Sequence, residues 1–286
     1  MRREVSLLIE YIHFSGIVSQ EQKDLLQEDF FSYGFNEYYI DEDPENTRAT
    51  LHIFLSNASQ LPNWLESITL QRQEEGLTIN NWIEEWKKSL KPIRLTDRIT
   101  VVPVEQPPKI RQTGRIYLIP GLAFGTGSHE STRLAARLLE AAEPLGKRVL
   151  DIGCGSGILS SVAFLLGAKS VVALDNDPLA LEKTAEIAEI NEICLDIRKS
   201  DLVSSLREDE DFDLIVANLN ETLLCSLKES IIPHMAEKGR LVISGILKSN
   251  EELVRSALRQ LFEFTEVLEE GDWVSSILTK RLSSGR

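Results

Sequence analysis

The sequence predicts an α/β domain with a mainly parallel sheet, preceded by a small α+β domain. From residue 131 onward, β-rich apolar runs alternate with helical patterns, which is typical of parallel strands joined by helices. The first 90 residues instead combine short strands, two helical patterns and turns. Between these regions, short β-rich pieces are separated by Pro92, Pro103, Pro107 and Pro108. We therefore place a domain boundary near residues 91–92.

Length and charge exclude several classes of protein. At roughly 100 to 200 residues per domain, 286 residues predict about two domains. The 45 acidic residues outnumber the 31 lysines and arginines, and the net charge of −14 favours a basic partner over nucleic acid or anionic lipid. No apolar run approaches the roughly 20 residues of a membrane span, and no signal peptide is recognisable.

Cysteine usage indicates a reducing compartment. Cys154, Cys194 and Cys225 are odd in number, widely spaced and form no metal-binding pattern. We therefore expect a cytoplasmic protein that has no metal site and contacts neither membranes nor nucleic acid directly.

The N-terminal module, residues 1–90, has the order strand, helix, strand, strand, helix, strand, which is typical of a ferredoxin-like fold. Ser19 and Gln22 are spaced as a capping box at the start of the first helix, and Gly34 suits its end. The other predictions are strands at 5–14, 35–40, 48–55 and 77–83, a turn at 41–46 and a helix at 61–75. The first 95 residues carry 16 acidic and 9 basic side chains, a net charge of −7. This charge agrees with a basic partner, although acidic surfaces are also common for solubility alone.

Residues 91–120 are predicted to be a linker with β-rich segments at 98–104 and 115–119, and residues 121–286 to be the ligand-binding domain. The predicted helices of this domain are 130–142, 158–166, 179–191, 223–235 and 251–262. The predicted strands are 148–152, 170–175, 193–199, 212–218 and 240–246, followed by a hairpin of 264–269 and 273–279.

A glycine-rich turn follows the first strand of this domain. Gly153, Gly155 and Gly157 lie between a buried strand and a helix, where open α/β sheets bind ligands. Glycine lets the backbone approach a ligand closely. The alternative is a turn without a ligand, but Asp151 in the strand and Asp175 at the end of the next strand favour binding. A carboxylate at position 175 is placed to accept the ribose hydroxyls of an adenosine ligand.

The spacing argues against a dinucleotide. The dinucleotide fingerprint needs a third glycine where the chain has Ile158, and the C-terminal hairpin also disfavours a dehydrogenase. Without a diphosphate to bind, Asp151 suits a cationic ligand, and S-adenosylmethionine carries an ammonium and a sulfonium. Asp201, after the third strand, either contacts the adenine amino group or is a charge in a solvated turn.

Two stretches resemble a known enzyme family. Residues 151–157 with Asp175 are similar to the class I S-adenosylmethionine-dependent methyltransferases. Residues 120–129, PGLAFGTGSH, resemble the PGxAFGTGxH signature of the ribosomal protein L11 methyltransferase (PrmA) family. The similarity runs from about residue 80 to the end of the chain. It implies a Rossmann-like methyltransferase domain, S-adenosylmethionine as cofactor and a small domain that carries the protein substrate.

The resemblance also implies roles for individual residues. It implies that Phe124 packs over the methionine or acceptor chain, and that Thr126, beside Gly127 in the cofactor set, bonds the methionyl carboxylate or the acceptor. Asn218 ends a buried strand, where its carbonyl oxygen can orient an amine, and the family places acceptor binding there. Asn218, Phe124 and Thr126 are the candidate catalytic residues, and Asn218 and Thr126 also belong to the cofactor set. Each has a structural alternative: a core aromatic, a loop hydroxyl or a plain turn residue. His129 is expected to be a structural residue rather than a base.

Three departures from the family pattern bear on the substrate: Ile119 replaces Asp, Glu130-Ser131 replaces Pro-Thr, and Asn220-Glu221 follows Asn218-Leu219 where the family has Leu-Ala. Three functions therefore stay open. The leading prediction is a monomeric, cytoplasmic methyltransferase of lysine or N-terminal amines in a ribosomal protein of the L11 type. The alternatives are a methyltransferase of another protein or a small molecule, and a non-catalytic S-adenosylmethionine-binding protein.

Overall fold

The structure, a computed structural model, describes residues 12–19, 22–23, 26, 38–42, 48–55, 61–62, 65, 68–72, 91–119 and 129–281. These residues belong to two compact units. The first comprises the described residues up to 72, and the second comprises 91–119 and 129–281.

The first unit contains a four-stranded antiparallel sheet. Its strands are β1 (Ile12–Ser19), β2 (Tyr38–Glu42), β3 (Arg48–Leu55) and β4 (Gln71–Arg72), in the order β2-β3-β1-β4. Alternate side chains of β1 and β3 point to one face and form the core, which includes Val18, Leu51, Ile53 and Leu55.

Several predictions for this unit can be compared with the structure. The capping box is confirmed, because Gln22 N donates to Ser19 Oγ at 3.2 Å and Ser19 N donates to Gln22 Oε1 at 3.0 Å. The strand at 48–55 is confirmed as β3. The first strand continues to Ser19, beyond its predicted end at 14. The turn at 41–46 is wrong at its start, since residues 41 and 42 belong to β2.

The predicted helix at 61–75 is wrong over residues 68–72, although Leu65 lies in a short 3-10 helix. Residues 68–70 are not helical, and residues 71–72 form β4. The helical spacing of apolar residues comes from two successive tight turns, in which Leu65 N donates to Pro62 O and Ile68 N donates to Leu65 O. The ferredoxin-like assignment stays a prediction, because Gly34 and the segments at 5–11 and 77–83 lie outside the described residues.

The second unit contains two sheets. The smaller consists of β5 (Ile93–Arg94), β6 (Thr100–Pro103) and β7 (Arg115–Leu118). The larger consists of β8 (Arg148–Ile152), β9 (Ser170–Asp175), β10 (Asp196–Lys199), β11 (Phe212–Asn218), β12 (Met235–Leu247), β13 (Phe262–Glu270) and β14 (Trp273–Lys280). The helices are α1 (Glu130–Ala141), α2 (Ile158–Leu165), α3 (Pro178–Asn191), α4 (Glu221–Leu227) and α5 (Glu251–Leu258).

The larger sheet has the strand order β10-β9-β8-β11-β12-β14-β13. The first five strands in this order, β10, β9, β8, β11 and β12, are parallel to one another, and β14 is antiparallel to both of its neighbours. The chain proceeds from β8 outward to β10 and then returns to β11, so the strand order reverses at β8. The predicted α/β class, with a mainly parallel sheet and a C-terminal hairpin, is confirmed.

Apolar side chains alternate between the two faces of this sheet. Val149 and Val216 pack in the cluster that includes α1 and α2, whereas Leu150 and Ile215 pack in the cluster that includes α4 and α5. Asp151 breaks the apolar pattern of β8, although its side chain is buried. Within the parts of the chain that the structure describes, no helix is both long and apolar enough to cross a bilayer.

The predicted helix at 223–235 is only partly correct. Helix α4 ends at Leu227, a short 3-10 helix covers Ile232–His234, and β12 begins at Met235. Pro233 has no amide hydrogen with which to continue an α-helix, and Met235 pairs with Phe212 of β11 instead. The other predicted elements of this unit lie within five residues of the observed ends, the largest difference being the start of β12, and β5 is an additional short strand.

Candidate functional site

The candidate site lies at the carboxyl ends of β8, β9 and β11, where the strand order reverses. The glycine turn follows β8, and its Gly155 N–H donates to Asp175 Oδ2 at the end of β9 over 2.9 Å. On the other side of β8, Val216 pairs with Asp151, so that Asn218 ends β11 at the same edge. The structure therefore brings Asp151, the glycine turn, Asp175 and Asn218 together.

Asp151 is a buried carboxyl group with one unused oxygen. Its Oδ2 accepts a hydrogen bond from Ser160 Oγ at 2.6 Å, whereas its Oδ1 is buried and has no partner among the described residues. Burial raises the pKa of Asp151 to about 7, although the Ser160 hydrogen bonds oppose this and Asp175 adds to it. A buried carboxyl oxygen without a partner, such as Asp151 Oδ1, suits a cationic hydrogen-bond donor, and the ammonium of S-adenosylmethionine is a donor of this kind.

The three glycines of the turn have different surroundings. At Gly157, whose φ is +79°, a Cβ atom would lie 2.9 Å from Thr184 Cγ2 and 3.0 Å from Ile187 Cγ2, so this glycine lets α2 and α3 approach. At Gly153, a Cβ atom would lie 2.4 Å from Leu219 Cδ2. At Gly155, whose φ is +54°, no atom of the described residues lies within 4 Å of that position. Gly155 therefore faces the open part of the site.

Asp175 and Asp201 differ in how firmly they are held. Asp175 accepts hydrogen bonds from Gly155 N at 2.9 Å and from Asp177 N at 3.0 Å, which fix its carboxylate and leave lone pairs for ribose hydroxyls. Asp201 is exposed, and its backbone N–H donates to Ser204 Oγ at 3.2 Å. Both interpretations of Asp201, adenine contact and solvated turn, stay open.

Asn218 also keeps an unused oxygen. Its Nδ2 lies 3.5 Å from Thr132 Oγ1 on α1, and its Oδ1 is buried without a partner among the described residues. Asn220 caps α4 through Leu223 N at 3.0 Å, and Glu221 Oε1 accepts a hydrogen bond from Asn250 Nδ2 at 2.8 Å. The Glu221 carboxylate is thus already paired. Phe124, Thr126 and Gly127 lie outside the described residues.

His129 has a structural role. It is the N-cap of α1, where its Nδ1 accepts a hydrogen bond from Ser131 N at 3.2 Å, and its ring packs edge-on against Trp273 with centroids 4.7 Å apart. Burial lowers the pKa of His129 to about 4, while Glu130 raises it and Arg133 lowers it. Its imidazole is therefore neutral at neutral pH.

Sequence reasoning missed Ser160 and Thr132, the side chains that hold Asp151 and Asn218. Ser160 lies in the first turn of α2, nine residues after Asp151. A helix that follows a strand through a short turn packs back against that strand, so this spacing is a weak sequence signal for the contact. Thr132 is 86 residues away from Asn218, and nothing in the local pattern connects the two.

Comparison with known proteins agrees with this geometry. Residues 4–281 match the family described as Ribosomal protein L11 methyltransferase (PrmA). The chain belongs to this family. The ribosomal protein L11 methyltransferase of Caldanaerobacter subterraneus subsp. tengcongensis is 32% identical over 274 residues, which cover 91% of this chain and 87% of that protein. The protein of the same name from Thermosipho melanesiensis is 37% identical over 234 residues, which cover 81% and 86%.

A solved structure shows the same fold. The crystal structure of ribosomal protein L11 methylase from Lactobacillus delbrueckii subsp. bulgaricus matches with a TM-score of 0.62 and 32% identity, over 68% of this chain and 100% of that chain. The predicted PrmA resemblance and the class I, Rossmann-like methyltransferase domain are confirmed. The chain is accordingly an S-adenosylmethionine-dependent methyltransferase, and the predicted cofactor is confirmed.

We expect alanine at Gly155 and at Gly157 to have different effects. Gly157→Ala should lower the free energy of unfolding by about 1–3 kcal/mol, because the new methyl overlaps Thr184. Gly155→Ala should cost about 1–2 kcal/mol of backbone strain and should also weaken cofactor binding, because its methyl enters the open site. Denaturant unfolding and calorimetric titration measure the two quantities.

Gly146→Ala is the matched control for Gly155→Ala. Gly146 has a φ of +73° and equally open surroundings, but it lies before β8, away from the site. Equal cofactor affinity in the two variants would show that Gly155 does not face the ligand.

We expect cofactor affinity to depend on the ionisation of Asp151. Because an ammonium favours the carboxylate and the pKa of Asp151 is about 7, affinity should be about tenfold weaker at pH 6 than at pH 8. Asp151→Asn should bind weakly at both pH values.

The raised pKa of Asp151 also makes the ligand-free protein lose stability as pH rises from about 4 to 7, because the folded state keeps a proton that the unfolded state releases. Asp151→Asn should lack this loss, whereas the exposed control Asp209→Asn should retain it; calorimetry and thermal melts at several pH values test both effects.

Proposed function

We propose that this chain transfers methyl groups from S-adenosylmethionine to lysine ε-amines or the N-terminal amine of ribosomal protein L11. The observation that carries the proposal is the family match over residues 4–281. The relatives from Caldanaerobacter and Thermosipho are both named ribosomal protein L11 methyltransferase, which supports L11 as the substrate. A net charge of −14 suits the approach of a basic protein.

Bound S-adenosylmethionine supplies an electrophilic methyl group on a sulfonium. We assign its ammonium to Asp151 Oδ1, its ribose hydroxyls to Asp175 and its close backbone contacts to Gly153, Gly155 and Gly157. Phe124, Thr126 and Gly127 complete the proposed pocket on the strength of the signature resemblance, and Asp201 is the proposed adenine contact.

The acceptor amine must be neutral to react. A lysine amine has a reference pKa near ~10.4, so the site must favour its unprotonated form. Asn218 Oδ1 is buried and unpartnered among the described residues, and we propose that it accepts an N–H of the neutral amine and directs the nitrogen lone pair toward the methyl group. The N–C bond forms as the C–S bond breaks, and the extra proton leaves for water. His129 does not take this proton, because its Nδ1 already accepts a hydrogen bond in the helix cap.

We further propose that residues 1–90 select the acceptor, that residues 91–120 are a linker and that residues 121–286 bind the cofactor. The first 95 residues carry a net charge of −7, which complements a basic substrate, and every cofactor motif lies after them. A cytoplasmic location, a monomeric state and the absence of nucleic-acid contact belong to the same proposal.

The first test uses L11 from cells that lack this enzyme and cofactor labelled in its methyl group. The wild-type chain should label L11. Asn218→Ala should lower kcat and leave cofactor affinity nearly unchanged, whereas Asp175→Ala should lose about 1.5 to 3 kcal/mol of cofactor binding. Asp201→Ala tests the adenine contact in the same titration, and Asp209→Ala is the exposed control.

The result also decides between the functions that the sequence left open. Labelling of a different protein or a small molecule would replace L11 as the acceptor, and the departures at Ile119 and Asn220-Glu221 make such an acceptor the second candidate. Cofactor binding without labelling of any component of the extract would overturn methyl transfer. Normal turnover by Asn218→Ala would overturn the placement of the acceptor.

The second test concerns the N-terminal module. A chain that begins at Lys91 should retain cofactor affinity, because the proposed cofactor contacts all follow this residue. It should lose methylation of intact L11, because acceptor selection is assigned to the missing module. Calorimetry and the labelling assay measure the two properties, and full activity of the shortened chain on intact L11 would contradict this division of roles.

A further inference from the structure

Four strands place polar side chains in a row at the carboxyl end of the larger sheet, on the face that packs against α1 and α2. These side chains are Asp151 of β8, Asn218 of β11, Ser244 of β12 and Ser275 of β14. Ser244 and Ser275 have no exposed surface at all. Positions of this kind are normally apolar, and the proposed methyl transfer as described above uses neither serine.

Ser244 connects three elements around Asn218. Its hydroxyl donates to the carbonyl of Ser131 in the first turn of α1 at 2.7 Å. Its own carbonyl accepts the N–H of Leu219, the residue after Asn218, at 3.1 Å. Ser244 also pairs directly with Asn218 in the sheet. Ser244 therefore forms hydrogen bonds both to the chain at the end of β11 and to α1, the helix that packs against β11.

The hydrogen bond from Ser244 to Ser131 determines the direction of the hydrogen bond between Ser244 and Ser275. The two hydroxyl oxygens are 2.6 Å apart. Because the single proton of Ser244 goes to Ser131 O, Ser275 must donate the proton between the two serines. The register of β12 against β14 shifts between Ile243 and Ile246, and Gly245 within this shift has a φ of +82°. A bulge of this kind re-aims the strand beside the site.

The contact from α1 back to Asn218 comes from Thr132, the residue after Ser131. Thr132 is buried, and its Oγ1 lies 3.5 Å from Asn218 Nδ2. If the Asn218 amide donates to Thr132 through Nδ2, its Oδ1 must point the other way, toward the acceptor. Hydrogen bonds of this length in a ligand-free site commonly shorten when the substrate binds.

We infer that Ser244 and Ser275 are positioning residues for the acceptor: they fix the first turn of α1 so that Thr132 holds the Asn218 amide with Oδ1 toward the amine. This inference rests on the proposed function. Methyl transfer requires alignment of nitrogen, carbon and sulfur, and a small displacement of the acceptor reduces the rate strongly. The serines act through Asn218 and do not contact the reacting atoms themselves.

The test compares Ser244→Ala and Ser275→Ala with the control Ser276→Ala. Ser276 is buried on the same strand, but its side chain points to the opposite face. Each of the first two variants should lower kcat for L11 methylation about tenfold or more, with KM and cofactor affinity within about twofold of wild type. In an Asn218→Ala background, Ser244→Ala should have little further effect, because both changes remove the same alignment.

Several outcomes would overturn the inference. They are equal kcat values for Ser244→Ala and Ser276→Ala, a parallel loss of cofactor affinity, or effects of Ser244→Ala and Asn218→Ala that multiply independently. If Ser244→Ala does not fold, the comparison of Thr132→Val with Thr132→Ser decides the question, because serine keeps the hydroxyl and valine lacks it. Thr132→Val should lower kcat and Thr132→Ser should keep it. Equal kcat values in these two variants would contradict the inference. If the wild-type protein does not label L11, the proposed function is overturned. This failure is distinct from failure of the inference, because it concerns the wild type alone and is seen before any variant is compared.

Discussion

The hydrogen bond between Ser160 and Asp151 is the constraint on which the cofactor edge depends. Asp151 lies in β8, an interior strand that pairs with a neighbour on each side. The other side chains of β8 are the buried apolar Val149, Leu150 and Ile152 and the partly buried Arg148. Burial of an ionised carboxylate there is unfavourable, so the ligand-free protein keeps it largely protonated up to about pH 7. One oxygen is stabilised by the protein and the other is left for a ligand. The fold thus bears an energetic cost that the ammonium assigned to Asp151 Oδ1 in our proposal would relieve.

The distribution of unpartnered atoms supports this view of the site. Among the described residues, four buried side-chain atoms lack a hydrogen-bond partner: Asp151 Oδ1, Ser205 Oγ, Asn218 Oδ1 and Glu270 Oε2. Glu270 Oε2 still forms an ion pair with Arg137 at 2.9 Å. Two of the remaining three lie at the ends of adjacent strands, one suited to a cation and the other to an N–H donor. Buried polar groups are rarely left unpaired without a reason, and the ligand contacts that we propose for these two atoms would provide one.

Local pattern predicted much of the second unit, because strands such as β8, β9 and β11 are short apolar runs bounded by turns, and their predicted limits are the observed ones. It failed at 61–75, where consecutive tight turns imitate helical spacing, and after Leu227, where strand pairing replaces the helix. Tertiary contacts were beyond its reach. Asn191, for example, bonds both Tyr117 N and Tyr117 O, at 2.7 and 2.8 Å, and so joins α3 to the smaller sheet across 74 residues. Asp151, Asp175 and Asn218 were predictable as candidates because they lie at or next to the carboxyl ends of strands, whereas the contact of Asn218 with Thr132, 86 residues away, was not.

The departures after Asn218 can now be related to acceptor chemistry. Leu219 lies against Gly153 of the glycine turn, where a Cβ atom would overlap its side chain. Asn220 caps α4, so a polar residue at this position preserves the start of the helix that follows the site. A Glu221 carboxylate that faced a lysine acceptor would hold it as ammonium and oppose its reaction. In the structure, Glu221 Oε1 accepts a hydrogen bond from Asn250, and Asn218 Oδ1 remains a neutral amide oxygen without a partner among the described residues.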